Sequence, residues 1–191
     1  MENILEIKNL TKTYGKARGV SDINLQIEKG SVYGFIGPNG AGKSTTIKCI
    51  MNLINKNEGQ IFINGELAEK SNYKIKEKIG YLPSEIHLYE DLKVKDMLKY
   101  SSSFYKKDCK ARTQELIKKL DVDINKKIDE LSLGNLKKVG IILALMHEPE
   151  IVIMDEATSG LDPLMQEVFY EIIEEEKKKR NNNILFITYF K

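Results

Sequence analysis

Residues Gly37-Pro38-Asn39-Gly40-Ala41-Gly42-Lys43-Ser44 fit the pattern G-x-x-x-x-G-K-S without a gap, and few short patterns constrain a fold as tightly. Such a turn must bring consecutive backbone N–H groups inward around phosphate oxygens. A Cβ at its glycine positions would block that approach or the dihedrals it needs. The run before it is mostly apolar through Val32, Tyr33, Phe35 and Ile36, which predicts a strand covered on both faces. From Lys43 to Leu53 the chain reads as a helix, with Ile47, Ile50, Met51 and Ile54 at helical spacing. The helix then points its positive end at the same anion. Lys43 can reach the β- and γ-phosphates of a nucleotide, and the Ser44 hydroxyl can ligate Mg²⁺.

A phosphoryl-transfer site also needs a buried strand that delivers a carboxylate to the metal. Ile151-Val152-Ile153-Met154-Asp155 has that form, with Asp155 at the C-terminal end, where ligands gather in open α/β sheets. Glu156 follows at once. On an extended chain its side chain points away from that of Asp155, so one carboxylate can serve the magnesium shell and the other an attacking water.

The rest of the chain fits around these two motifs. Ile4 to Leu10 and Val20 to Ile27 alternate as two half-exposed antiparallel strands, with Thr11-Lys12-Thr13-Tyr14-Gly15 as the loop after the first. Short strands are predicted at Gln60 to Ile63, before the turn Asn64-Gly65, and at Ile79 to Leu82, before Pro83. Between Val94 and Leu120 the period becomes helical, which predicts two amphipathic helices inserted as a lobe at about 84–135. Leu131 to Asn135 reads as a loop and Leu136 to Met146 as a buried helix. Pro163 opens a helix with Leu164, Val168, Phe169, Ile172 and Ile173 on one stripe, and Ile184 to Thr188 is a last strand. The acidic and basic run Glu174 to Arg180 reads as a solvated face with weak i,i+4 pairs.

Strands alternating with helices imply an α/β fold with a mainly parallel sheet, here with an N-terminal antiparallel β subdomain and an inserted α-helical subdomain. A length of 191 residues suits one domain. No stretch approaches the roughly 18 apolar residues of a membrane span, and nothing at the N-terminus looks like a secretory signal. A net charge of +2 argues against nucleic acid as a partner, and Cys49 and Cys109, in no metal-binding spacing, fit a reducing cytosol.

The glycine turn and the acidic strand end together indicate a P-loop NTPase. Leu131-Ser132-Leu133-Gly134-Asn135 before the buried strand and Ser159-Gly160-Leu161-Asp162 after it narrow the choice, because this order resembles the nucleotide-binding domain of ATP-binding cassette (ABC) transporters over essentially the whole chain. Together with Ile79-Gly80-Tyr81-Leu82-Pro83, the local forms look most like the ATPase subunits of bacterial drug and peptide exporters, whose membrane domain is a separate chain.

The resemblance implies an ATPase that binds ATP through Tyr14, stacked on adenine, and through Gly37, Pro38, Asn39, Gly40, Ala41, Gly42, Lys43, Ser44 and Thr45. It implies Glu156 and Lys43 as catalytic residues, with Ser44 and Asp155 on Mg²⁺. Leu131, Ser132, Leu133, Gly134 and Asn135, the signature loop, would meet the ATP of a second cassette, so that two domains close head to tail as a homodimer or heterodimer. Ser159, Gly160, Leu161 and Asp162 would form the loop that crosses that interface. The other implied partner is an integral membrane permease subunit, which places the chain on the cytoplasmic face of the membrane.

Three positions depart from the family pattern. Where a glutamine usually touches the metal and the attacking water this chain has Ser84, too short for direct contact, with Glu85 beside it as a substitute. Where a histidine usually contacts the γ-phosphate it has Tyr189. Neither His87 nor His147 can stand in for that residue, and both read as surface histidines. Ala157 replaces a frequent proline. The chain ends at Lys191, where relatives continue, which fits a shortened form with retained ATP binding and reduced hydrolysis. The alternatives are a hydrolysis-impaired regulator, a soluble cassette ATPase acting on ribosomes or DNA, and a simple P-loop kinase. The last two fit the length or the signature loop poorly.

Overall fold

The computed structural model describes residues 2–15, 17–38, 40–69, 72–180 and 183–188. Its elements are β1 (Asn3–Tyr14), β2 (Ala17–Glu28), β3 (Val32–Ile36), α1 (Lys43–Ile50), β4 (Glu58–Ile63), β5 (Glu66–Leu67), α2 (Tyr73–Lys76) and β6 (Ile79–Leu82). There follow α3 (Val94–Ser102), α4 (Lys110–Leu120), a 3₁₀ turn (Ile128–Glu130), α5 (Leu133–Leu145), β7 (Ile151–Asp155), α6 (Pro163–Arg180) and β8 (Asn183–Thr188). One sheet is antiparallel, in the order β2-β1-β4-β5. The other is parallel, in the order β3-β8-β7-β6.

β1 is longer than its sequence alternation implies. Leu5 and Ile7 point into the core, but a register shift between Ile7 and Leu10, with Asn9 at φ 51°, moves the next inward position to Leu10. The Asn9 amide holds the bulge by donating to Asp22 Oδ1 at 2.8 Å, while its backbone N–H donates to Asn24 Oδ1 at 2.9 Å. The strand then runs on through Lys12 and Tyr14, paired with Val20 and Ala17, so Thr11 to Tyr14 form strand and not the loop expected.

All five residues of β7 are buried, and its two faces serve different cores. Ile151 and Ile153 pack with Ile4, Leu5, Ile7, Ile47, Ile50 and Ile61. Val152 and Met154 pack with the helical side, among them Leu98, Leu116, Val139, Ile142 and Phe169. β3, by contrast, is covered on one face only. It lies at the edge of the parallel sheet, and Val32 and Ile36 are 42% and 59% exposed. A short apolar run resembles a two-face strand whether or not its second face is covered.

α5 lies close along β6, and two glycines set the distance. A Cβ on Gly80 would fall 2.1 Å from the Ala144 carbonyl oxygen, and one on Gly140 would fall 2.5 Å from Ile86 Cδ1 and 2.8 Å from Leu82 Cδ1. The helix starts earlier than the sequence implies. Ser132 is its N-cap, its hydroxyl accepting from the Asn135 N–H at 3.3 Å, so Leu133 to Asn135 form its first turn instead of a loop.

Two further expectations fail for reasons of tertiary packing. The charged tail of α6 is not uniformly solvated. Glu176 is fully buried and takes a hydrogen bond from Arg112 of α4, which also faces Glu115, while Glu175 pairs with Lys119. His147 is buried, not a surface residue. Its ring stacks on Tyr105 with centroids 4.0 Å apart, Nε2 lies 3.2 Å from the Ile79 carbonyl, and burial pushes its pKa down to about 4. His87 does lie on the surface, beside the equally exposed Glu85 at 3.7 Å.

Candidate active site

The glycine turn joins the end of β3 to the start of α1. Gly40 and Gly42 take φ of 76° and 89°, the left-handed region that suits glycine. At Gly42 a side chain is excluded twice, because a Cβ there would also sit 2.1 Å from Val20 Cγ1. Gly42 is the N-cap of α1 and offers no side-chain cap, so the positive end of that helix is left to other acceptors. The Ala41 N–H donates to the Pro38 carbonyl at 3.1 Å and closes the turn. Lys43 is buried at 5% exposure, and its ammonium donates to the carbonyls of Gly37 at 2.6 Å and Pro38 at 2.9 Å. Ser44 and Thr45 are half-buried just beyond it. Asn39 lies outside the described residues.

Asp155 ends β7 as the sequence implies, 2% exposed, and its Oδ1 is buried without a hydrogen-bond partner among the described residues. A buried carboxylate oxygen with no donor is costly unless a cation or donor reaches it. Glu156 does not continue the extended chain. It turns at φ 52° and its carbonyl accepts from the Ser159 N–H at 3.1 Å, so the two carboxylates are separated by a left-handed turn and not by strand alternation. A non-glycine residue held there costs on the order of 1–3 kcal/mol and is typically kept at functional sites.

The loop after Glu156 meets the start of α5. A Cβ on Gly160, at φ 80°, would lie 3.1 Å from Leu133 Cγ, and one on Gly134 would lie 2.7 Å from the Gly160 carbonyl oxygen. Leu161 is buried, and Ser159 and Asp162 are exposed. Asp162 caps α6, its Oδ1 accepting from the Met165 N–H at 3.0 Å. Ser132 and Leu133 stand exposed, Leu133 at 66%, beside the half-buried Leu131, Gly134 and Asn135. Tyr14 lies at the far end of β1, 43% exposed, with the Lys12 ammonium 5.0 Å from its ring centre. The acidic strand end and the Ser159 to Asp162 loop are thus one continuous segment, packed against the signature loop.

Ser84 follows β6 and offers its backbone carbonyl to Lys137 Nζ at 3.0 Å. Lys137 is only 1% exposed; sequence reasoning put it in a buried helix but missed its role, because its acceptor lies 53 residues away and leaves no local sign. Glu85 beside Ser84 is 86% exposed on its side chain. Tyr189 lies outside the described residues.

Residues 20–159 match the family described as ABC transporter. An ABC transporter ATP-binding protein of Bacillus subtilis is 38% identical over 89% of this chain and 58% of its own length. A bacitracin transport ATP-binding protein of Bacillus licheniformis is 36% identical over 86% of this chain and 54% of its own. The chain thus spans little more than half the length of these two relatives. Among solved structures, an ATP-binding subunit of an ABC transporter superposes with a TM-score of 0.89 at 30% identity, over 98% of this chain and 80% of that one. With the glycine turn, the acidic strand end and the signature loop in the family's order, the chain belongs to the ABC transporter family and has the fold of its ATP-binding cassette.

Proposed function

We propose that the chain is the ATP-binding and ATP-hydrolysing part of an ABC transporter, of the exporter type, acting as one cassette with a helical lobe at about 84–135. The observation that carries this reading is that Lys43 is buried at an uncapped helix start and that Asp155 is buried with an oxygen that has no hydrogen-bond partner among the described residues. Lys43 exchanges the carbonyls of Gly37 and Pro38 for the β- and γ-phosphates, while the backbone from Gly37 to Thr45 lines the phosphate chain. Tyr14 stacks on adenine.

The residues fit Mg²⁺. It is a hard cation that takes one or two protein oxygens and completes its shell from phosphates and water, so Ser44 and Asp155 suffice and no cluster of three acids or histidines is required. Magnesium held by Ser44 and Asp155 would neutralise charge on the transferring phosphoryl group. Glu156, turned away from β7, orients the attacking water and accepts its proton.

The exposed start of α5 serves a second cassette. The Ser132 hydroxyl accepts from Asn135, which leaves its O–H proton for the γ-phosphate held by the partner. Two cassettes close head to tail on two ATP molecules and separate when hydrolysis removes the shared charge. Among the described residues no helix is long and apolar enough to cross a membrane. The transporting partner is an integral membrane permease subunit, with this chain docked on its cytoplasmic face.

The test is steady-state ATP turnover of the purified protein beside Glu156→Gln. A general base contributes about 10²–10⁴-fold, so turnover falls by that order while ATP binding and ATP-dependent dimerisation persist. A wild type that binds ATP and never releases phosphate sinks the ATPase reading and favours a nucleotide-dependent regulator.

A further inference from the structure

The helical lobe holds a cleft of about 580 Å³ between α3 and α4, lined by residues that the ATPase reading does not use. One wall is the face of α3 with Lys95, Leu98, Lys99 and Ser102, and the other is the face of α4 with Lys110, Thr113, Gln114 and Ile117. Both sets step i, i+3, i+4, i+7, so each is a single stripe of its helix.

Both ends of the cleft are pinned. At one end the Lys95 N–H donates to the Ile124 carbonyl and the Val94 N–H to that of Lys126, each at 3.0 Å. At the other, Asp108 Oδ1 accepts from the Lys110 N–H at 2.8 Å, the Cys109 thiol donates to the Lys107 carbonyl at 3.4 Å, and the Lys107 ammonium pairs with Glu148. A ligand therefore does not have to order the walls that receive it.

The floor is apolar. Leu98 and Cys109 are buried there, with Ile117 and Ile124 half-buried beside them. The wall hydroxyls are already committed, Ser102 donating to the Lys99 carbonyl at 2.8 Å and Thr113 to the Cys109 carbonyl at 2.7 Å. The rim, by contrast, is cationic: Lys95, Lys99 and Lys110 are exposed, and their ammonium groups make no ion pair among the described residues. Lysine stems lie along apolar surface and hold their charge at its edge, which sets positive heads around an apolar interior.

Small-molecule sites have volumes of about 300–1,000 Å³. Lys95 to Ser102 spans about 10 Å of helix axis, and a partner α-helix, about 10–12 Å across with its side chains, would overfill the cleft over that length. A single extended chain would not.

We propose that the α3–α4 cleft binds a soluble, single-chain amphipathic carboxylate, with its acyl chain against Leu98, Cys109, Ile117 and Ile124 and its carboxylate at the Lys95, Lys99 and Lys110 rim. The committed hydroxyls leave little for a polar ligand body to bond, and a neutral or cationic head meets no complementary charge at the rim. This binding is separate from the nucleotide site and does not depend on the ATPase reading.

The test is calorimetric titration of the full chain with octanoate, decanoate and dodecanoate, each below its micelle concentration, and with decyltrimethylammonium as the cationic counterpart. The expected result is one site per chain, affinity rising by about three- to fourfold per added methylene until the cleft is full, and no binding of the cation. Amide hydrogen exchange slows at residues 95–102 and 110–117 when decanoate is added. The double variant Lys95→Gln, Lys99→Gln removes two exposed charges and weakens decanoate by about fivefold, with melting temperature and ATP binding unchanged. Equal binding of the cation, an indifferent double variant, or protection confined to other residues overturns the proposal. Co-sedimentation with phosphatidylglycerol vesicles in a protein that does not bind decanoate also overturns it, in favour of a lipid surface. None of these readouts is ATP turnover, so failure here leaves the ATPase reading standing, and failure of that reading leaves this one.

Discussion

The α-carbon of Gly134 faces the carbonyl oxygen of Gly160 so closely that an added Cβ would stand 2.7 Å from it. Both partners in this contact are backbone, so neither can yield by changing a rotamer. The start of α5 and the loop after β7 therefore hold each other in register. Replacing Gly134 with alanine is expected to push them apart, lowering stability by about 1–3 kcal/mol as overpacking does. ATP-dependent dimerisation, read by size-exclusion chromatography, should weaken more than ATP binding to the monomer does. Equal dimerisation by Gly134→Ala and wild type would show that the register is unimportant for assembly.

Lys43→Met removes the ammonium that now bonds the Gly37 and Pro38 carbonyls. Charge-assisted hydrogen bonds contribute about 1.5–3 kcal/mol each and about 1.4 kcal/mol is a tenfold change in affinity, so ATP binding should weaken by at least about tenfold. A fluorescent ATP analogue titrated into both proteins checks this, and matching affinities would remove Lys43 from the phosphate site.

His147 makes stability depend on pH. Its folded pKa of about 4 lies below the ordinary 6.5, because protonation would charge a buried ring whose Nδ1 has no hydrogen-bond partner among the described residues. The unfolded chain takes up a proton below about pH 6.5 that the folded chain refuses. The contribution is therefore complete above the ordinary value and is lost as pH falls from there towards about 4, in total about 3 kcal/mol. Urea unfolding at neutral pH and at about pH 4 should show the wild type losing more stability than His147→Phe by roughly that amount. Parallel losses would place the acid sensitivity elsewhere.

The Arg112–Glu176 pair joins α4 to α6 with both side chains buried. Removing one member breaks a buried ion pair, at a cost of about 3–5 kcal/mol, whereas replacing both with apolar residues of similar size can be nearly neutral. Arg112→Met should thus be strongly destabilised, and the double variant Arg112→Met, Glu176→Met should recover most of the loss in thermal melts. Additive losses would show that the pair stabilises beyond its mutual compensation.

What the sequence made legible is what lies close together along the chain. The phosphate turn is eight consecutive residues whose types follow from backbone geometry, and Asp155 sits at the end of its strand because four apolar residues and an acid admit few other readings. Contacts made across the chain left no such local trace. Arg112 and Glu176 are 64 residues apart, and Lys137 and Ser84 are 53 apart, so the charged helix tail reads as solvated and the partner of the lysine goes unseen, when each is in fact paired inside. The bulge at Asn9 is hidden for another reason: it resets strand alternation by one residue, which makes the strand beyond it look like loop. The left-handed turn at Glu156 leaves no mark in composition, since glutamate rarely adopts it without surroundings that impose it.

β7 has one further consequence. A strand whose alternate residues are locked into two separate cores is exposed only when both cores open, so its amides belong to the slowest-exchanging set of the molecule and report global unfolding. The carboxylate at its end is held against the most persistent part of the fold.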